Sequence, residues 1–318
     1  MNVPPPGIGS GAPRVEIVEV GPRDGLQNEA VAFSTDAKLA LIGNLLAAGL
    51  RRLEVCSFVH PGRVPQMADA EAVVAGLPDL DDATYIGLVL NERGYQRARA
   101  TRAQGRGIDE VGCVAVATET FARKNQGQSV REGLDVATAI IRQARADGIG
   151  AQVTLSAVFG CPYEGRVAPA HVVDMAKRVA EAGPREIALA DTIGAAVPAQ
   201  VSDLFGRVAE AVPGMALRGH FHNTRNMGIA NAWAAYEAGA TVLDASIGGI
   251  GGCPFAPAAT GNIGTEDLAY LLEKSGVATG VDLAKLIAAS QRLGERLGRT
   301  PPALVSRAGD FAAQPTIH

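Results

Sequence analysis

Charged residues are scarce in this sequence, and neither sign is in marked excess. Asp, Glu, Lys and Arg make up 19% of the 318 residues, and 29 basic against 33 acidic side chains leave a formal net charge of −4. Like charges do not cluster into a block. A protein that binds nucleic acid through its general surface usually carries a basic excess. We therefore expect no nucleic-acid partner.

Long apolar runs are also missing. The longest apolar stretches, 111–117 and 152–159, fall far short of the roughly 20 residues that a membrane helix needs. The first dozen residues contain no basic segment followed by an apolar core, which argues against a secretory signal peptide. These features predict a cytoplasmic protein with no membrane partner and with a disordered leader over residues 1–13.

Cysteine is rare, and its spacing suggests neither a disulfide framework nor a paired motif. The four cysteines are scattered, as is typical of reduced thiols in a cytosolic protein. Cys56 and Cys113 lie within apolar runs and are expected to be inert core residues, and Cys161 is expected to be structural. Cys253 follows a glycine cluster that offers little bulk to bury its sulfur, so it is the candidate for a reactive thiol.

Apolar residues make up 47% of the chain, and they follow an alternating pattern. Eight β-branched runs, at 15–20, 52–58, 84–90, 110–117, 151–159, 186–190, 216–221 and 241–247, alternate with helical stretches near 35–48, 69–75, 92–104, 130–147, 169–182, 198–211 and 227–238. This pattern predicts an α/β fold, a single-domain (β/α)₈ TIM barrel, with a doubly wound open sheet as the alternative. We expect the barrel domain over 14–300, including C-terminal helices, and a tail over 301–318.

Two histidines mark the end of the seventh predicted strand. Residues two apart on a strand share a face, so His220 and His222 should point together into the mouth of the barrel. Asp24, in the loop after the first strand, is the leading carboxylate to join them. Such a set would suit Mg²⁺ or Mn²⁺ and would accept Zn²⁺. The alternative for the histidines is that both are satisfied by hydrogen bonds in the core or at the surface. The alternative for Asp24 is an Arg–Asp surface pair or a helix cap.

A glycine-dense segment, residues 248–254, follows the eighth predicted strand. Long loops in compact domains are often binding loops or lids, so this segment predicts a mobile catalytic lid that carries Cys253. A plain connector is the alternative.

Several longer segments, joined in order, resemble the 3-hydroxy-3-methylglutaryl-CoA lyase family, within the wider group of barrel metallolyases and Claisen-condensing enzymes. The matching segments are 15–29, 57–59, 64–67, 160–165, 191–194, 251–254, 260–262 and 266–268. The resemblance implies a barrel that uses Mg²⁺ or Mn²⁺ to cleave an acyl-CoA, 3-hydroxy-3-methylglutaryl-CoA, into acetyl-CoA and acetoacetate, as in leucine degradation. We also expect a homo-oligomer.

The resemblance also implies roles for individual residues. The implied metal ligands are Asp24, His220, His222 and Asn262. The implied catalytic residues are Arg23, Asp24, Glu54, Asp191, Cys253 and Glu266. The implied substrate contacts are Arg23, Gln27 and Ser57.

The sequence departs from the family pattern after the second histidine. Asp-Thr-Tyr-Gly-Gln is expected there, but residues 223–227 read Asn-Thr-Arg-Asn-Met. Arg225 adds a cation that either binds a substrate carboxylate or is simply solvated. The alternative activities are cleavage of citramalyl-CoA or of a longer-branched glutaryl-CoA, and a Claisen-type condensation. A non-catalytic metal- or CoA-binding barrel is the alternative outside enzymes.

Overall fold

Eight parallel strands form a closed barrel in a computed structural model that describes residues 13–252 and 261–311. Each strand pairs with the next along the chain, and the last pairs with the first. The strands are β1 (Glu16–Glu19), β2 (Arg52–Ser57), β3 (Thr84–Leu88), β4 (Glu110–Val116), β5 (Gly150–Ser156), β6 (Glu186–Asp191), β7 (Ala216–Phe221) and β8 (Val242–Ala245). The predicted (β/α)₈ barrel is confirmed, and the open sheet is excluded.

The strands are almost wholly buried, which explains their continuous apolar character. Every residue of β2, β6 and β8 is buried, because side chains fill the barrel on one face and helices cover the other. The barrel closes where β1 runs beside β8, with Glu16 opposite Val242 and Glu19 opposite Ala245. This closure brings residues from the two ends of the sequence to one rim.

Helices follow the strands, and several of them begin at a residue whose side chain caps the helix. Ser34 caps the first helix by accepting a hydrogen bond from the amide of Ala37, and Ser129 forms a capping box with Glu132. The helices are α1 (Thr35–Ala47), α2 (Ala70–Ala75), α3 (Glu92–Ala100), α4 (Glu119–Gln126), α5 (Val130–Ala146), α6 (Pro169–Ala180), α7 (Pro198–Ala211), α8 (Gly228–Glu237), α9 (Thr265–Lys274), α10 (Leu283–Leu297) and α11 (Val305–Ala308).

A buried ion cluster fills the amino-terminal end of the barrel. Arg52 Nη2 lies 2.5 Å from Glu110 Oε1, and its Nη1 lies 2.9 Å from Glu186 Oε2. Arg218 continues the cluster toward the other end, with Nε 3.3 Å from Glu186 Oε1. Buried charges are tolerated when they are mutually paired in this way.

The last helices pack beside the end of β8. The amide of Ala303 donates to the carbonyl of Gly248 (2.9 Å), and Asp267 accepts a hydrogen bond from the amide of Val305 (2.7 Å). Residues 301–308, expected as part of a tail, thus contact the barrel. The predicted leader, apart from Pro13, lies outside the described residues, as does 312–318. Within the described part of the chain, no helix is both long and apolar enough to cross a membrane.

Candidate metal centre and active site

A cavity of about 1230 Å³ opens at the carboxyl ends of the strands. Active sites of barrel enzymes form at this end, where the strand-to-helix loops meet. Five of the predicted site residues line the inner wall: Arg23, Asp24, Glu54, His220 and His222. Gln27, predicted as a substrate contact, lines the cavity as well.

Asp24, His220 and His222 converge on one point. One potential ligand atom from each residue lies within 4.8 Å of the other two. The centroids of the two imidazole rings lie 5.3 Å apart. His220 lies on β7 and His222 directly follows it, and the two side chains are on the same face, as the spacing predicts. Asp24 comes from a tight turn, Gly21–Gly25, that follows β1. This set could hold a metal ion.

Asn262 joins the same group. Its Nδ2 donates to Asp24 Oδ2 (2.8 Å), and its backbone forms a bridge with that of His222. Its Oδ1 is buried and has no hydrogen-bond partner among the described residues. A buried amide oxygen left without a donor requires a ligand or water. Two imidazoles, a carboxylate and this amide oxygen are a donor set that fits a divalent cation.

Local charges keep Asp24 ionised. Burial on its own would raise the pKa of Asp24, but Arg23, His220 and His222 outweigh that effect and lower it to about 2. The pKa of His220 is raised, because its hydrogen bond to Asp244 and the charges of Asp244 and Asp24 outweigh the effect of burial. Asp24 is therefore present as the carboxylate, the form of the side chain that binds a metal ion.

Asp244 is a site residue that sequence reasoning missed. Its Oδ2 lies 3.0 Å from Nδ1 of His220, and its Oδ1 lies 3.4 Å from Nη1 of Arg218. A carboxylate that binds one ring nitrogen fixes the tautomer of a histidine and leaves the other nitrogen for a metal. Asp244 therefore orients His220 so that Nε2 is the available ligand atom.

Arg23 is held rigidly against the cavity by two carboxylates. Nη1 lies 2.7 Å from Asp24 Oδ1, and Nη2 lies 2.8 Å from Glu54 Oε2. Gln27 Oε1 lies 3.5 Å from Nη1, at the limit of hydrogen bonding. Burial raises the pKa of Glu54, although Arg23 opposes the rise. The guanidinium is thus a fixed cation beside the candidate metal centre.

The other two predicted acidic residues lie away from the cavity wall. Asp191 accepts hydrogen bonds from the amides of Ala195 (2.8 Å) and Ala196 (2.9 Å), in the loop after β6. Glu266, on α9, accepts one from the amide of Gly248, with both carboxylate oxygens 3.0 Å from that nitrogen. In this structure each carboxylate holds the backbone of a loop that borders the site.

Ser57 and Arg225, predicted as substrate contacts, do not line the cavity in the described structure. Ser57 is fully buried, and its hydroxyl accepts a hydrogen bond from the amide of Val59 (3.3 Å). Arg225 donates from Nη1 to the carbonyls of Ile193 (3.1 Å) and Gly194 (2.8 Å). The arginine thus links the loops that follow β6 and β7.

The described cysteines are buried. Cys113 lines the cavity, but burial raises the pKa of its thiol to about 12, so the thiol stays protonated at neutral pH. Burial also raises the pKa of Cys56. Cys161 accepts a hydrogen bond from the hydroxyl of Thr118 (3.0 Å). Cys253, the predicted catalytic thiol, lies outside the described residues.

Comparison with known proteins shows which barrel family this site belongs to. The family model described as HMGL-like matches residues 14–293. The chain belongs to the HMGL-like family. It is 44% identical to the hydroxymethylglutaryl-CoA lyase of Pseudomonas mevalonii over 284 residues, covering 89% of this chain and 93% of that protein. The resemblance inferred from the sequence motifs is confirmed.

The chain is also similar to a lyase named for a different substrate and to a solved HMG-CoA lyase structure. The chain is 43% identical to the (R)-citramalyl-CoA lyase of Chloroflexus aurantiacus, over 94% of this chain and 96% of that protein. The structure of an HMG-CoA lyase from Acinetobacter baumannii, in complex with coenzyme A and 3-methylmalate, superposes with a TM-score of 0.89. It is 37% identical and covers 96% of this chain and 98% of its own. The predicted enzyme class, a lyase, is confirmed.

Proposed function

We propose that this HMGL-like protein cleaves 3-hydroxy-3-methylglutaryl-CoA into acetyl-CoA and acetoacetate. The observation that carries the proposal is the convergence of Asp24, His220, His222 and Asn262 beside the fixed guanidinium of Arg23. Relatives named as hydroxymethylglutaryl-CoA lyases, similar over nearly the whole chain, support the choice of substrate.

The outer part of the cavity suits the anionic end of an acyl-CoA. Exposed side chains of Arg63, Arg93 and Lys124 line it, whereas the deeper wall carries the candidate metal ligands. Cations at a cleft mouth attract phosphates and raise the local concentration of an anionic substrate. The thioester would therefore enter with its acyl group toward β7 and its phosphates near the mouth.

The four converging residues would hold a divalent cation, Mg²⁺ or Mn²⁺, with Zn²⁺ an acceptable substitute. When bound, such an ion polarises hydroxyl and carbonyl oxygens of a ligand and lowers the pKa of the hydroxyl. Asp244 keeps His220 in the tautomer that presents Nε2, and Asn262 holds Asp24 through Nδ2.

The cleavage itself needs a base, an anion-stabilising group and an acid. Loss of the proton from the tertiary hydroxyl lets the carbon–carbon bond to the thioester methylene break. The hydroxyl oxygen then becomes the ketone of acetoacetate, and the bonding electrons pass to the thioester enolate, which takes up a proton to give acetyl-CoA. Asp24 would hold the cation, and of the other three acidic residues implied as catalytic, only Glu54 borders the described cavity. We therefore assign to Glu54 the removal of the hydroxyl proton.

Arg23 and Cys253 complete the assignment. The guanidinium of Arg23, fixed by Asp24 and Glu54, is placed to donate to the thioester oxygen where the enolate charge develops. Cys253 is proposed as the acid that protonates the enolate carbon. Asp191 and Glu266 act through the loop amides that they hold.

A second candidate substrate is citramalyl-CoA. A citramalyl-CoA lyase is similar to this chain to nearly the same degree as the hydroxymethylglutaryl-CoA lyases, and the same bond cleavage would yield acetyl-CoA and pyruvate. The two are separated by measuring kcat/KM for both thioesters with purified, Mn²⁺-loaded protein. We expect the higher value with 3-hydroxy-3-methylglutaryl-CoA; a higher value with citramalyl-CoA would replace the first proposal by the second.

A further inference from the structure

Glu19 is a buried carboxylate that no part of the proposed reaction uses. It is the last residue of β1, is fully buried, and does not line the described cavity. Its Oε1 accepts hydrogen bonds from the amides of Gly21 (2.7 Å) and Ile247 (2.9 Å). Its Oε2 accepts one from the hydroxyl of Thr265 (2.6 Å). We refer to these three hydrogen bonds as the Glu19 bridge.

The three donors belong to three different segments around the site. Gly21 opens the turn that carries Arg23 and Asp24. Ile247 directly precedes the glycine-dense segment after β8, and Thr265 is the first residue of α9. The bridge therefore joins the beginning of the barrel to its end at the rim where the cavity opens.

The packing at Gly21 shows that this connection is tight. A Cβ at that position would lie 2.5 Å from Glu19 Oε1 and 2.7 Å from Ile247 Cγ2, closer than real Cβ contacts. Glycine is thus required for the turn to approach the carboxylate. The turn, Glu19 and Ile247 thus meet in close contact.

We propose that Glu19 is a positioning residue that holds the Arg23–Asp24 turn at a fixed distance from the segments after β8. This inference rests on the proposed function, because the roles of Arg23 and Asp24 come from it. The distance between the turn and the segments after β8 also determines the 2.8 Å hydrogen bond from Asn262 Nδ2 to Asp24 Oδ2, because Asp24 lies in the turn and Asn262 lies after β8. Displacement of about 1 Å in a reacting group can cost on the order of 100-fold in rate.

The chemistry of the bridge predicts which substitution can replace Glu19. Burial raises the pKa of Glu19 to about 8, so a neutral side chain is compatible with its surroundings. Glutamine offers one oxygen to the two amides and an NH₂ group toward the hydroxyl of Thr265. Glu19→Gln should therefore keep the bridge, and Glu19→Ala should abolish it.

The test compares two pairs of variants. The first pair is Glu19→Ala against Glu19→Gln. The second pair is Thr265→Val against its control, Thr138→Val. Thr138 is also a buried threonine in a helix, but among the described contacts its hydroxyl donates only to carbonyls of its own helix, those of Leu134 and Asp135. The readouts are kcat and KM for the thioester, Mn²⁺ affinity from the electron paramagnetic resonance signal of free Mn²⁺, and hydrogen exchange at the amide of Ile247.

We expect Glu19→Ala to lower kcat by about 10- to 100-fold and Mn²⁺ affinity by about 10-fold, and to speed exchange at Ile247. Glu19→Gln should stay within about threefold of the wild type, and Thr265→Val should lose about three- to tenfold in kcat while Thr138→Val stays within about twofold. If Glu19→Ala does not fold, the threonine pair decides.

The results that would contradict this inference differ from the result that would contradict the proposed function. If the wild type cleaves the thioester, and Thr265→Val matches Thr138→Val in kcat, Mn²⁺ affinity and exchange, the positioning role is wrong. It is also wrong if Glu19→Gln loses as much as Glu19→Ala. If the wild type neither cleaves a thioester nor binds Mn²⁺, the proposed function is wrong and the inference falls with it.

Discussion

Nδ1 of His220 and Oδ2 of Asp244 lie 3.0 Å apart, across the boundary between β7 and β8. Through this hydrogen bond a carboxylate that the sequence did not single out determines which nitrogen of the histidine faces the candidate metal centre. Arg218 supports Asp244 from the barrel interior, with Nη1 3.4 Å from Oδ1. The orientation of His220 on β7 therefore depends also on the neighbouring strand β8, which carries Asp244.

This relationship predicts that Asp244→Ala weakens metal binding without removing a ligand. Loss of a carboxylate behind a metal-binding histidine typically costs about 10- to 100-fold in affinity, and we expect a loss in that range for Mn²⁺. Isothermal titration of metal-free protein measures it. Asp203→Asn, at an exposed position on α7, is the control and should bind as the wild type does. Unchanged affinity in Asp244→Ala would show that His220 needs no such support.

Arg23→Lys should lower kcat far more than it raises KM. A lysine cannot reach Asp24 and Glu54 together in the planar geometry of the guanidinium, so the cation would no longer be fixed where enolate charge develops. Removing one such donor typically costs about 100- to 1000-fold in kcat. Arg225→Lys is the matched control, because Arg225 binds carbonyls outside the described cavity wall. Steady-state kinetics in which both variants behave alike would contradict the role of Arg23.

Cys253→Ala should reduce cleavage while leaving metal binding intact. A positioned acid contributes about 100- to 10,000-fold to a proton-transfer step, and the loss in kcat should fall in that range. Cys113→Ala is the control, because Cys113 is a cavity-lining thiol whose raised pKa keeps it protonated. Stopped-assay measurement of acetyl-CoA gives both rates. Full activity in Cys253→Ala would assign protonation of the enolate to another group.

Glu19 should make the folded state less stable as the pH rises. Its pKa is raised from 4.5 to about 8 in the folded protein, so its stabilising contribution is complete below about pH 4.5 and is lost as the pH rises through about 8. Glu266, with a pKa raised to about 7, acts in the same direction. Urea titration from pH 4.5 to 9 measures the unfolding free energies of wild type and Glu19→Gln. Their difference gives the contribution of Glu19 to the pH dependence of stability. A difference that does not change with pH would contradict the raised pKa.

The barrel could be predicted from the sequence because its signal is local. The strands are mostly buried apolar runs, and several helices have their own cap or terminal glycine. Eight strand-and-helix units are therefore visible one after another. The pair His220 and His222 was visible for the same reason, since two residues on one strand share a face. Asp24 was visible because a carboxylate after the first strand reaches the same rim.

The role of Asp244 and the orientation of Asp191 could not be predicted from the sequence. Both depend on how neighbouring strands or loops are arranged in the folded protein. Asp244 lies beside His220 only because Arg218 pairs with Val242 and Gly219 with Leu243 in the closed sheet, a register that one strand does not reveal. Asp191 follows the same strand-end pattern as the site residues, yet its carboxylate turns to the loop amides. Where a side chain points just after a strand depends on the loop, and the sequence pattern does not contain that direction.

The most direct measurement is of the products from 3-hydroxy-3-methylglutaryl-CoA, with metal-free protein and with the same protein reloaded with Mn²⁺. The account predicts equimolar acetyl-CoA and acetoacetate from the reloaded protein, and no cleavage without metal. It further predicts that His222→Ala, which lacks one of the converging ligands, stays inactive after reloading. Cleavage at the same rate by metal-free protein, or no cleavage by folded protein that has bound Mn²⁺, would contradict the account.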